Sequence, residues 1–152
     1  MESIVLNSGL DGFVLLDAIT ESGSEAITGY KRFTGAPVHL GIESLAQLGA
    51  LHVRILTDFE KHAFLLSIKR CSMRDGQELN GCLRLSGDLI SRSTSAFSYR
   101  LRAMGDGGET VIEGEFLFAV VDYDDNGFKR DALREHYQRV FSCLKHGSKA
   151  DC

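Results

Sequence analysis

Apolar residues fall into short alternating runs at the start of the chain, one long helical stretch, and then a series of alternating runs. The stretch Pro37–Leu56, PVHLGIESLAQLGALHVRIL, has no proline after its first residue and no turn cluster. It predicts one helix of roughly five turns, with Pro37 in the first turn, where a missing N–H costs nothing. Val38, Ile42, Leu45, Leu48, Val53 and Leu56 keep helical spacing, while Leu40, Leu51 and Ile55 spread around the circumference. A helix apolar on most sides is mostly buried. Its small residues, Gly41, Ala46, Gly49 and Ala50, predict the close approach of another backbone. Glu43 is its one acid, with His39 a turn earlier and Gln47 a turn later. Those positions share one face, so the buried helix carries a polar stripe.

The flanking pattern predicts strands. Phe13–Ile19 is a short apolar run, Glu25–Tyr30 a return strand, and Lys31–Ala36 a loop into the helix. Ala63–Met73 is a strand closed by a turn at Arg74-Asp75-Gly76-Gln77. Glu78–Ser91 alternates at Leu79, Gly81, Leu83 and Leu85, and its length and glycines predict a bent or bulged strand. Ser95–Met104 alternates at Phe97, Tyr99, Leu101 and Ala103, and Thr110–Val121 completes an antiparallel meander. Asp125-Asn126-Gly127 breaks the pattern. Leu133, Tyr137, Val140, Phe141 and Leu144 then mark an amphipathic helix over Asp131–Leu144. An antiparallel sheet with one apolar face needs an apolar partner, and the central helix is the candidate.

With 152 residues and no linker, the expectation is a single α+β domain, its core spanning about 13–121. A net charge of −4 with interspersed signs argues against a nucleic-acid or membrane-surface partner. No apolar run reaches the roughly eighteen residues of a membrane span. The cysteines (Cys71, Cys82, Cys143, Cys152) lack metal spacing and are expected to be reduced thiols of a cytoplasmic protein. The turn GDGGE lacks the strand–loop–helix setting of a phosphate loop.

From about Phe13 to Val121 the chain resembles the 3-hydroxyacyl-carrier-protein dehydratases of fatty acid synthesis, the FabA/FabZ type. FVLLDAI is similar to their opening strand, and RFTGAPVHLGIESLAQ to their signature: His-Phe-x-Gly-x-Pro-Val, then Pro-Gly, an apolar stretch, and an acid followed by Ala-x-x-Gln. Glu43, Leu45, Ala46 and Gln47 match the helix part. Phe33, Gly35, Pro37, Val38 and Gly41 match the loop part once a three-residue gap is placed between Gly41 and Glu43. The resemblance implies a hotdog fold, an antiparallel sheet wrapped around one long central helix, here with an extra C-terminal helix. It also implies a dimer and an acyl thioester carried on acyl carrier protein or coenzyme A, with no further cofactor and no metal.

It further implies a catalytic pair, a histidine as general base and the helix acid, supplied by different protomers. Glu43 matches the acid. The histidine position holds Gly29 or Arg32, depending on the gap, and neither can act as a base. His39 is the remaining histidine near the motif, a second candidate for orienting or activating a water. Leucines around Glu43 would push its pKa up, which suits a general acid or base. Gln47, Gly35, Pro37, Val38 and Tyr30 are the candidate substrate-binding residues, and Lys31, Arg32, Arg70 and Arg74 a candidate landing patch for an acidic carrier protein.

Three functions therefore stand side by side. One is a dehydratase-like protein, impaired alone and paired with a histidine-bearing second hotdog protein. The second is an acyl-thioester hydrolase using Glu43. The third is a non-enzymatic thioester sensor or docking module. A homodimer or heterodimer is expected to form through Ser95–Met104 or its neighbour, joining two sheets at unpaired edges.

Overall fold

The computed structural model describes residues 14–74, 78–123 and 127–146. Eight elements follow in order: β1 (Ala18–Ser22), β2 (Ala26–Ala36), α1 (Val38–Leu56), β3 (His62–Met73), β4 (Leu79–Arg92), β5 (Ala96–Met104), β6 (Thr110–Val121) and α2 (Gly127–Lys145). The strands form one six-stranded antiparallel sheet in the order β1-β2-β4-β5-β6-β3. The expected architecture is present: a long helix lies on one face of the sheet, and a C-terminal helix follows.

Two local expectations change. Lys31–Ala36 is not a loop but the second half of β2, paired residue by residue with β4 until the register shifts between Phe33 and Ala36. Gly35 sits at that shift with φ +59, and its N–H donates to Asn80 Oδ1 at 2.7 Å. Long β-branched and aromatic runs can continue a strand across a charged pair, because Lys31 and Arg32 need only one solvated end. The opening strand begins later than expected, at Ala18, and Phe13 lies outside the described residues, as do Asp75–Gln77 and Asp125-Asn126. Pro37 is the N-cap of α1 rather than its first helical residue, with extended backbone (φ −68, ψ 152).

Period-two alternation decides which strand face is buried. Phe97, Tyr99, Leu101 and Ala103 of β5 and Ile112, Phe116 and Phe118 of β6 are buried against α1. The opposite face is charged: Arg100 reaches Glu113 and Glu115 at 3.8 and 3.6 Å, and Arg70 reaches Glu115 at 2.9 Å. A sheet that covers a helix with one face and meets water with the other reads this way. From the helix, Leu45, Leu48, Leu51 and Val53 complete the core.

The small residues of α1 are explained by packing, though not by a neighbouring backbone. A Cβ on Gly41 would lie 2.5 Å from Ile112 Cδ1, and one on Gly49 would lie 2.6 Å from Phe118 Cζ. The intruders are core side chains of β6, which sit in the grooves that glycine leaves open. Beyond α1, Asp58 and Phe59 adopt left-handed backbone (φ 56 and 60), which turns Phe59 back into the core to meet the Phe141 ring at 6.1 Å.

The expected dimer edge is corrected by the strand order. Strand β5 lies between β4 and β6, and both of those are also internal, so none of them offers a free edge. The edges are β1 and β3. Cys82 is disulfide-bonded, which corrects the expectation of four reduced thiols, whereas Cys71 and Cys143 are free.

Helix α2 is amphipathic as expected and starts four residues earlier, at Gly127. Leu133 and Leu144 are buried, and Tyr137, Val140 and Phe141 pack against the core. Among the described residues no helix is long and apolar enough to cross a membrane.

Candidate functional site

The polar stripe of α1 opens into a cleft. Glu43, Gln47, Ala50 and Arg54, at i, i+4, i+7 and i+11, line one wall of a cavity of about 250 Å³. Phe118 of β6 and Leu65 of β3 contribute from the sheet, and His136, Tyr137 and Val140 of α2 from the opposite side. Val14 and Leu16, in the segment before β1, close part of the mouth. That segment is held in place by Gln47, whose Oε1 accepts the Leu15 N–H at 2.7 Å. Gln47 therefore positions the cleft wall as well as lining it.

Glu43 is half-buried rather than enclosed, because the leucines near it in sequence point to the sheet while it points along the cleft. Its carboxylate takes part in none of the side-chain hydrogen bonds or ion pairs among the described residues. A structural carboxylate at such a position would be tied to backbone N–H groups; this one is free to meet water or a ligand.

At the other end of the cleft, Arg54 is only 7% exposed. Its guanidinium lies 3.8 Å from the centre of the Tyr137 ring, and Nη2 donates to the Ala63 carbonyl at 3.2 Å. Burial pulls its pKa below the ordinary arginine value, while Tyr137 and Tyr123 oppose that shift. The cation nonetheless persists, since arginine stays protonated in proteins. His62 packs beside it, its ring 5.4 Å from that of Tyr123.

The other residues singled out in the sequence lie elsewhere. His39 is exposed near the start of α1 and does not line the cleft. Gly35, Pro37 and Val38 sit where β2 passes into α1, also outside it; Val38 instead borders a hollow with Glu78 and Glu109. Tyr30 is on the outer face of the sheet beside Arg84 and Met104, with the sheet between it and Glu43. Of the candidate landing patch, Lys31 is paired with Asp17 at 3.3 Å and Arg70 with Glu115.

Neither position that stands for the missing histidine can supply one. A Cβ on Gly29 would lie 2.4 Å from the Ala18 carbonyl oxygen, so even alanine is excluded there without moving β1. Arg32 is exposed, and its backbone N–H donates to Asp17 Oδ2 at 2.7 Å.

One charged residue of the cleft wall escaped the sequence reading. Arg54 continues the stripe of His39, Glu43 and Gln47, and following that stripe to its end would have reached it. His52 is structural: it is fully buried, with Nδ1 2.7 Å from Tyr99 Oη and Nε2 2.7 Å from the Gly23 carbonyl.

Solved structures share this architecture. A thioesterase from Haemophilus influenzae superposes with a TM-score of 0.61 over 71% of this chain and 80% of its own, at 10% identity. The fold is the hotdog. A hypothetical thioesterase from Streptococcus pneumoniae TIGR4, solved with coenzyme A, matches at TM-score 0.60 and 13% identity over 70% of this chain and 90% of its own. A Streptococcus mutans UA159 protein bound to acetyl-CoA matches at 0.59 and 11% identity, over 71% of this chain and 90% of its own. No family model and no curated protein sequence matches the chain. Among the described residues, the histidine that shares the cleft with Glu43 is His136 of α2, and none stands at Gly29 or Arg32, the positions the dehydratase arrangement would use.

Proposed function

We propose that this hotdog protein is an acyl-thioester hydrolase in which Glu43 activates the attacking water. The observation that carries the reading is the position of Glu43: an unpaired carboxylate on the buried helix, at one end of a largely apolar cleft. Thioester hydrolysis needs one base and a slot for the acyl chain, and it does not need the histidine base that dehydration requires alongside the helix acid. The thioesterases among the structural neighbours support that reading, and the two structures holding coenzyme A or acetyl-CoA favour a coenzyme A thioester as substrate.

In this mechanism Glu43 takes a proton from water as the water oxygen bonds to the thioester carbonyl carbon. The tetrahedral oxyanion then collapses, the C–S bond breaks, and the thiolate leaves and is protonated. The first-turn N–H groups of α1, at Val38 and His39, have no intrahelical acceptors and sit at the positive end of the helix dipole. The acyl chain extends past Gln47 and Ala50 toward Phe118.

A second reading rests on the residues Glu43, Leu45, Ala46 and Gln47, which match the dehydratase helix. In that case a histidine-bearing hotdog partner completes the site, because Gly29 cannot. One panel tests both: saturated and 3-hydroxyacyl thioesters, on coenzyme A and on carrier protein, with wild type and Glu43→Gln, with and without such a partner. The hydrolase reading expects free thiol from saturated acyl-CoA by the homomer, reduced ~10²–10⁴-fold in Glu43→Gln. No hydrolysis, with dehydration appearing only when the partner is added, would replace it with the second reading.

A further inference from the structure

Arg54 stands at the far end of the cleft, with Tyr123 and Arg134 near it but outside the cleft wall. Arg54 Nε, Tyr123 Oη and Arg134 Nε are all buried without a hydrogen-bond partner. They belong to one cluster, since Tyr123 lies within electrostatic reach of both Arg54 and Arg134. The carboxylate of the group, Glu60, is already engaged by Arg134 Nη2 at 2.9 Å. The ionisable neighbours of Arg54 are Tyr137, Tyr123, which is within side-chain hydrogen-bond reach, and His62 at 3.5 Å, with no acid among them. A buried guanidinium without an anion is costly, since buried charges are ordinarily paired.

We propose that the Arg54 end of the cleft is an anion subsite for a carboxylate at the far end of the acyl chain, so that the preferred ligand is an ω-carboxyacyl thioester. The walls between the two ends argue for an acyl chain rather than a phosphate. Leu16, Ala50, Leu51, Phe118 and Val140 would solvate methylenes and offer nothing to a polyanion. Glu43 and Arg54 are eleven residues apart on one helix, roughly 16 Å along its axis, which leaves room for a medium-length chain. A planar guanidinium matches a carboxylate, and Tyr137 stacked on one face holds it in orientation. The placement of the reacting end at Glu43 rests on the hydrolase reading; the subsite itself does not.

Titration calorimetry on the whole chain separates the two. Monomethyl decanedioate, whose ester stands in for the thioester and whose carboxylate would meet Arg54, and its uncharged counterpart methyl decanoate are the probes, with wild type, Arg54→Met and Tyr123→Phe as the proteins, each checked for a cooperative melt. Wild type should bind the acid ester about tenfold or more tighter than the plain ester, as expected of a charged hydrogen bond. Arg54→Met should collapse that preference toward unity. Tyr123→Phe keeps the ring and removes the hydroxyl beside Arg54, so it should narrow the preference severalfold even if Arg54→Met fails to fold. Equal affinity of wild type for both esters, or a preference indifferent to both substitutions, overturns the subsite. A preference for the acid ester without hydrolysis of any thioester would uphold the subsite and remove the hydrolase reading. Equal hydrolysis of plain and ω-carboxylated acyl-CoA, with equal ester affinities, would do the reverse.

Discussion

His52 Nδ1 lies 2.7 Å from the hydroxyl of Tyr99, and both side chains are fully buried between α1 and β5. The Gly23 carbonyl can only accept, so Nε2 carries the proton and donates to it, and Nδ1 accepts the Tyr99 O–H. Neutral imidazole satisfies every partner; the imidazolium would turn an acceptor into a second donor. Burial accordingly lowers the His52 pKa from its ordinary 6.5, with the Gly23 hydrogen bond opposing and the charge of Arg92 adding to the shift.

The linkage has a definite sign. Above about pH 6.5 folded and unfolded chains both hold neutral imidazole and the stability is fully present. As the pH falls below that, the unfolded state binds a proton that the folded state refuses, and stability is lost until the folded pKa is reached. Urea titrations between pH 7 and 5 should show a decline of at most about 1.4 kcal/mol per pH unit from this group. Tyr99→Phe should cost about 1–3 kcal/mol by leaving Nδ1 without its donor.

Gly29→Ala should destabilise the fold by about 1–3 kcal/mol or more, because its new methyl meets backbone rather than a side chain that could swing away. Gly29→His should be worse and should not create dehydratase activity. A soluble, fully folded Gly29→His protein, judged by its melting curve, would contradict this packing.

Helix α2 contributes stability through few residues. Leu133→Ala and Leu144→Ala should each cost about 2–5 kcal/mol in urea unfolding, since both are buried. Glu135→Ala on the exposed side should stay within about 0.5 kcal/mol. An unchanged midpoint for both leucine variants would make the helix an appendage.

Strand β3 is the edge that should pair in a dimer. It spans twelve residues and exposes Phe64, Leu65, Leu66 and Met73, with Leu66 at 59%. An exposed apolar edge of that length recruits a second strand. Light scattering should report a dimer at micromolar concentration, and Leu66→Glu should shift it toward monomer. A monomeric wild type would contradict this assignment.

Signals local to the chain determined the helix around Glu43, the alternating faces of β5 and β6, and the stripe that joins Glu43 to Gln47. Side chains one turn or two residues apart share a face whatever the rest of the protein does, so periodicity alone was enough. Sheet order, the free edge and the fates of His52 and Arg54 were decided only by the tertiary structure. Strand β3 leaves the helix to pair with β6 at the far side of the sheet, and no pattern within β3 or β5 announces which of them is left with an open edge. Arg54 has the sequence neighbours of an ordinary helix-end arginine. It became a buried cation at the end of a cleft because α2, more than seventy positions later, laid Tyr137 across it.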